Sequence, residues 1–151
     1  MKVFCYGSNM SSRRITERCP NSVFIGVAKV SGWKLVFNKR SKDGSGKANL
    51  VYIGGDNLVW GVIWDISEGD KVLLDKAEGL GWGYDEFKLF VINDLGEEIE
   101  CVCYISTNEK YLDGGLKPYD WYKEFCLEGA REHSIPEDYI LTIESVDVTE
   151  K

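Results

Sequence analysis

The sequence predicts an α+β fold: a mixed, mainly antiparallel, barrel-like sheet flanked by a few α-helices in a single domain spanning 1–151. Three observations predict it. β-Branched and aromatic residues gather in short segments bounded by Gly, Asn and Asp, the mark of strands joined by tight turns. In one of these segments Trp60, Val62 and Trp64 alternate with Gly61 and Ile63, so both faces are apolar, as in a closed or covered sheet. Helical periodicity is confined to a few stretches instead of recurring between every pair of strands, which argues against a doubly wound sheet.

Taken in order, strands are expected at about 2–6, 23–30, 33–38, 48–53, 58–66, 84–92 and 98–106. Gly54-Gly55-Asp56-Asn57 is expected to join two of them as a hairpin, and Asn93-Asp94-Leu95-Gly96 another pair. A short helix from Arg13 to Arg18 must stop before Pro20, because proline disfavours helical geometry in the residue before it. Ser67 with Asp70 three residues on resembles a capping box, opening a helix through Glu78 with Gly79 as its stop. Pro118 is placed to open a longer helix with Tyr122, Phe125, Cys126, Gly129, Ala130 and His133 on one face. Pro136 starts a last helical segment carrying Tyr139, Ile140 and Ile143. No internal repeat or linker divides these pieces.

The chain has 151 residues, of which 44% are hydrophobic. A domain of this size buries roughly 70% of the surface its unfolded chain exposes, enough for one core without staples. The cysteines (5, 19, 101, 103 and 126) are odd in number and scattered, which speaks against a disulfide framework and for a reducing compartment. With one histidine and no carboxylate cluster at ligand spacing, no metal site is expected. A net charge of −7 argues against a general grip on nucleic-acid phosphates. The N-terminal apolar run is too short for a signal-peptide core, and no stretch is long enough to span a bilayer, so a soluble cytoplasmic protein without a membrane partner is expected. The basic cluster Lys39-Arg40-Ser41-Lys42 adjoins a Gly/Ser-rich stretch and is expected to decorate a mobile loop.

Two features carry chemistry. The first strand runs directly into Tyr6-Gly7-Ser8-Asn9-Met10. A strand that meets Gly-Ser-Asn turns sharply, with glycine free to take positive φ, and such a turn leaves backbone N–H groups to cradle an anion or a carbonyl oxygen. The second is Glu78 at the end of its helix, where the backbone carbonyls make the local potential negative. The direction of that misfit is to raise the carboxyl pKa towards neutrality, which suits a base that later acts as an acid. Position alone favours a solvated helix-end residue, and only its pairing with the Gly7-Ser8 loop shifts the balance towards chemistry. Ser8 lacks the flanking glycines of a nucleophile elbow, and Cys126 and His133, seven apart on one helix, are too distant for a thiolate–imidazolium pair. The Gly129-Ala130 pair fits close helix packing, and His133 a structural role at a helix C-terminus. Tyr6, Tyr84 and Tyr122 fit either a pocket lining or a half-buried core.

Several segments then fall into one order along nearly the whole chain: Tyr6 to Met10, Val59-Trp60-Gly61-Val62-Ile63-Trp64, and Leu74-Asp75-Lys76-Ala77-Glu78-Gly79. They continue with Tyr84 after a short Gly/Trp loop, Tyr122-Lys123 leading to Gly129-Ala130, and Ile135-Pro136-Glu137-Asp138-Tyr139. In this order they closely resemble the γ-glutamylcyclotransferase family. The resemblance implies a β-barrel-like fold and a small-molecule γ-glutamyl substrate, converted to 5-oxoproline and the free amine without a cofactor. It implies that Glu78 is the catalytic glutamate, that Tyr6, Gly7, Ser8, Asn9 and Met10 form the substrate-cradling loop, and that Tyr84 and Tyr122 line the pocket. It leaves a homodimer open. Met10 stands where leucine is common, and the step from Glu78 to Tyr84 is one residue shorter than in some members. Glutathione-specific relatives usually carry leucine after Tyr-Gly-Ser, so Asn9 favours the other branch.

The residue inventory fits such a reaction. The substrate's own α-amine attacks its γ-carbonyl, so neither an enzyme nucleophile nor a metal-activated water is needed. Two other classes stand beside it: an idle family member that binds a small ligand or a protein, and a cysteine-dependent acyltransferase using Cys5.

Overall fold

The computed structural model describes residues 1–150. Its centre is a closed five-stranded barrel in the order β1 (Lys2–Cys5), β5 (Leu58–Asp65), β2 (Val23–Ser31), β6 (Asp85–Asn93) and β7 (Glu98–Ile105). Neighbours pair antiparallel except at the closure, where β1 meets β7 in parallel through Val3 and Val102. Closure fits the two-sided apolar pattern of β5, in which Gly61, Val62, Ile63 and Trp64 are all buried. Strands β3 (Trp33–Arg40) and β4 (Gly46–Tyr52) form a separate two-stranded sheet, with an irregularity in the pairing between Val36 and Lys39.

Four helices complete the domain: α1 (Ser12–Arg18), α2 (Glu68–Glu78), α3 (Asp120–Glu132) and α4 (Glu137–Glu144). Ser67 caps α2 by accepting the Asp70 N–H, and Gly79 ends it in the left-handed region at φ 66°. Helix α3 starts two residues after Pro118, with Tyr119 at its N-cap. It packs against the 3₁₀ turn Ser8–Met10 and against α4.

Two expectations are corrected. Residues 54–57 do not close a hairpin, because β4 pairs only with β3 while β5 enters the barrel; the turn instead bridges the two sheets, with Gly32 donating to Asn57 O and accepting from Ile53 and Gly54. Lys39 is not on a mobile loop: it lies in β3, two residues from Phe37 on the same face, and is 6% exposed. The turn at 93–96 does join β6 to β7 as a hairpin.

All five cysteines are buried and free. No helix among the described residues is long and apolar enough to cross a membrane. Nor do the described residues group three or more His, Cys, Asp or Glu side chains where they could hold a metal ion.

Candidate active site

The site lies where the loop after β1 meets the C-terminal end of α2. After Cys5 the chain turns through Tyr6 and Gly7 into the 3₁₀ turn, closed by Met10 N–H to Gly7 O and Ser11 N–H to Ser8 O, both 3.2 Å. Among the described residues the N–H groups of Gly7, Ser8 and Asn9 find no backbone acceptor. The turn is held from three sides. Trp64 of β5 donates its indole N–H to Asn9 O at 2.9 Å. Helix α3 presses from outside, and a Cβ on Gly129 would come within 2.4 Å of the Met10 and Ser11 backbone. Ser11 caps α1 by accepting the Arg14 N–H and gives its own proton to Glu128.

Gly7 serves a different purpose from the one expected of it. Its φ is −114°, so positive φ is not the reason for glycine. Space is the reason: a Cβ there would sit 2.9 Å from Ala48 Cβ and 3.3 Å from the Tyr122 hydroxyl. Any side chain would fill the floor of the cavity.

That cavity is lined by the end of β1 and the loop after it, residues 4–9, together with Ala48, Glu78, Tyr84, Tyr104 and Tyr122. The structure therefore gathers Tyr6, Gly7, Ser8, Asn9, Glu78, Tyr84 and Tyr122 around one space from segments far apart in the chain. Met10 is the exception. It is fully buried beneath α3 and does not line the cavity, so it supports the loop by packing.

Glu78 connects the two halves. Asn9 Nδ2 donates to Glu78 Oε1 at 2.9 Å, and Arg18 Nη1 stands 3.6 Å from the same oxygen. The glutamate side chain is only 17% exposed. Burial raises its pKa above the ordinary carboxylate range, against the pull of Arg18, Lys39, Asn9 and Arg14, which favour the charged form. Desolvation, and not the helix-end potential alone, is thus the main cause of the shift.

The tyrosines fix the opposite wall. Tyr84 donates its hydroxyl to Ala48 O at 2.6 Å, while the Tyr122 hydroxyl accepts the Ala48 N–H at 3.0 Å. Together they satisfy both backbone polar groups of one β4 residue and tie the small sheet to the cavity. Tyr6 donates to Tyr104 O at 2.5 Å. Burial pushes the pKa of Tyr6, Tyr84 and Tyr122 well up, so these hydroxyls stay protonated.

Other chemistry finds little support in this geometry. Cys5 lines the cavity, but burial raises its thiol pKa, and the chain's single histidine lies elsewhere. His133 stacks on Phe24 at 4.7 Å and meets Trp64 edge-on, the structural role its helix position suggested. The sequence reading missed Arg18, Lys39 and Ala48. For Lys39 the available signal was its two-residue spacing from Phe37 on one strand face. For Ala48, a small residue in a strand carries no such signal.

Proteins of similar sequence and fold point to one family. The AIG2-like family model matches residues 58–143. The γ-glutamylcyclotransferase of Bos taurus is 32% identical over 149 residues, covering 95% of this chain and 77% of the bovine protein. The Homo sapiens γ-glutamylcyclotransferase is 32% identical over 156 residues, covering 98% of this chain and 81% of the human one. A solved structure of a γ-glutamyl cyclotransferase superposes with a TM-score of 0.91 at 29% identity, over 100% of this chain and 90% of that one. In fold and in sequence, this chain belongs to the γ-glutamylcyclotransferase family of enzymes.

Proposed function

We propose that the protein cyclises a γ-glutamyl-amino acid or γ-glutamyl-amine to 5-oxoproline and releases the free amine, with Glu78 carrying the proton. The observation that carries this reading is the join between Asn9 and Glu78: one half-buried carboxylate with a raised pKa, held against a loop whose N–H groups face no backbone acceptor. The names of the bovine and human relatives point to the same reaction class.

In this mechanism the glutamyl head enters the cavity with its α-carboxylate or its γ-carbonyl oxygen against the Gly7-Ser8-Asn9 amides. Glu78 takes a proton from the substrate's α-ammonium. The freed amine nitrogen attacks the γ-carbonyl carbon, and negative charge develops on the carbonyl oxygen. The carbonyl re-forms as the bond to the leaving nitrogen breaks, and Glu78 returns its proton to that nitrogen. Of the three ammonium protons one passes through Glu78 to the leaving nitrogen, a second is shed from the ring nitrogen to solvent and the third stays on the ring amide. The ring amide formed replaces the amide broken, so protons and electron pairs balance. Well-oriented intramolecular reactions reach effective molarities of about 10⁵–10⁸ M, so holding the substrate folded is the larger task. Tyr84 and Tyr122, locked on Ala48, supply rigid walls for it.

The test is direct. The purified protein is given a panel of γ-glutamyl compounds and 5-oxoproline is measured, with Glu78→Gln as control. The variant is expected to lose about 10²–10⁴-fold in kcat, the usual worth of a positioned acid–base group. Unchanged turnover in Glu78→Gln would refute the role of the glutamate. No 5-oxoproline from any compound would refute the activity.

A further inference from the structure

Beside the glutamyl cavity lies a second, wider space, and the two share Ser8, Glu78, Tyr84 and Tyr122 as common walls. Its lining is unlike the rest of the molecule. In a chain of net charge −7, it brings together Arg14, Arg18, Lys39, Lys42, Lys47 and Lys76 against a single carboxylate, Glu78. They come from α1, β3, β4, α2 and the loop between β3 and β4. Such convergence has a cost. Like charges repel, and Lys39 is buried and Lys47 and Arg14 half-buried, so burial pulls their pKa values down.

Little within the protein compensates these charges. Arg18 faces Glu78 at 3.6 Å, and Lys47 faces Asp43 at 3.8 Å. Among the described residues Lys39, Lys42, Lys76 and Arg14 have no ion-pair partner, and the Nε of Arg14 is buried without a hydrogen-bond acceptor. Instead the cations rest on aromatic faces. Lys39 and Lys42 lie 5.4 and 4.9 Å from the centre of a Trp82 ring, and Lys47 lies 4.4 Å from Trp121 and 4.3 Å from Tyr122. Those contacts hold the ammonium groups in place, and Lys39 and Lys42 are left without a counter-ion among the described residues.

Because the two spaces share these walls, a glutamyl head seated in the inner cavity would leave its amine half to extend past Glu78 into the outer one. We infer that the outer space selects substrates whose amine half carries two or more negative charges, such as γ-glutamyl conjugates of acidic or phosphorylated amino acids. The inference rests on the γ-glutamyl reading of the inner cavity. It goes beyond that reading by naming the chemical class of the leaving group. A cleft lined by one sign of charge with low-dielectric walls concentrates the opposite charge. By the same field a cationic amine half is excluded.

The experiment compares γ-glutamyl-methylamide, γ-glutamyl-alanine, γ-glutamyl-aspartate, γ-glutamyl-O-phosphoserine and γ-glutamyl-lysine by 5-oxoproline release at low and high salt. The doubly charged conjugates are expected to exceed the methylamide by about tenfold or more in kcat/KM, with lysine lowest and the advantage shrinking as salt screens it. Preference for aspartate would identify carboxylate as the favoured anion, and preference for phosphoserine would identify phosphate. Lys42→Gln and Lys76→Gln, both exposed positions, are expected to narrow the ratio between charged and methylamide substrates. Equal kcat/KM for the methylamide and the doubly charged conjugates would overturn the inference while leaving the cyclotransferase reading intact. If no compound yields 5-oxoproline, that reading falls, and calorimetric binding of the same conjugates decides the inference: tighter binding with added negative charge upholds it, and equal binding ends it.

Discussion

The side-chain amide of Asn9 donates to Glu78 Oε1 over 2.9 Å, joining the loop after the first strand to the last residue of α2. Asn9 is itself fixed, because its backbone carbonyl accepts from Trp64 Nε1 and its side-chain oxygen is 3.4 Å from Arg18 Nη1. The carboxylate is thus aimed by a loop that the barrel holds in place. Its protonation and the loop's position cannot change independently.

Asn9→Asp makes that dependence measurable. The substitution keeps the backbone carbonyl that Trp64 uses but sets a second carboxylate against Glu78. A like charge disfavours ionisation and raises the Glu78 pKa further. If Glu78 sets the acid limb of the kcat/KM profile, that limb is expected to move to higher pH in the variant than in the parent protein. A limb that stays in place would separate Asn9 from the titration of Glu78.

Glu78→Gln is expected to trade activity for stability. The folded-state pKa of Glu78 is raised above its unfolded value of about 4.3, so the fold binds the proton more tightly than the unfolded chain does. The charged side chain therefore costs the fold nothing below the unfolded pKa and its full amount above the folded pKa. Glutamine carries no charge and still offers Oε1 to Asn9. Thermal unfolding at pH 7 is expected at a higher temperature for the variant, with the gap closing as pH falls below the ordinary carboxylate range. A variant less stable than the parent at pH 7 would reverse this sign.

The shared grip of two tyrosines on Ala48 predicts coupling. Tyr122→Phe leaves the buried Ala48 N–H without its acceptor, a loss of about 1–3 kcal/mol, and Tyr84→Phe removes the donor to Ala48 O for about 1 kcal/mol. Since both act on one residue of β4, the double variant is expected to lose less than the two single losses added together. Urea unfolding of all four proteins checks it. Strict additivity would show that the two hydroxyls act independently.

Gly129→Ala tests the support beneath the loop. The added Cβ would fall 2.4 Å from the Met10 and Ser11 backbone, so either α3 or the 3₁₀ turn must move. Overpacking of this kind costs about 1–3 kcal/mol. Because the turn carries Asn9, kcat/KM is expected to fall along with the melting temperature. Lost stability with full activity would show that α3 yields instead of the loop.

Much of the fold was legible in residue pattern. The strands and the four helices lie within a few residues of their expected places, because two-residue and 3.6-residue periodicities, Ser67 and Gly79 are local signals. The two-sided apolar run of β5 indicated a closed or covered sheet, and closure is what the barrel shows. Pairing partners were less legible. The turn at 54–57 has the composition of a hairpin, but whether its strands pair depends on which sheet offers β5 more burial, and a turn does not encode that.

The sequence by itself determined the family, the order of the elements and the two segments that meet at the cavity, the loop Tyr6 to Met10 and Glu78 at its helix end. Each of these rests on neighbours in the chain or on residues in a recurring order. Only the tertiary structure decided what those residues experience. Burial gives Glu78 its raised pKa, crowding by Ala48 gives Gly7 its reason, and distant strands and helices turn scattered lysines and arginines into one basic chamber. Desolvation and the summed field of charges are set by distances through space, and a linear pattern records none of those.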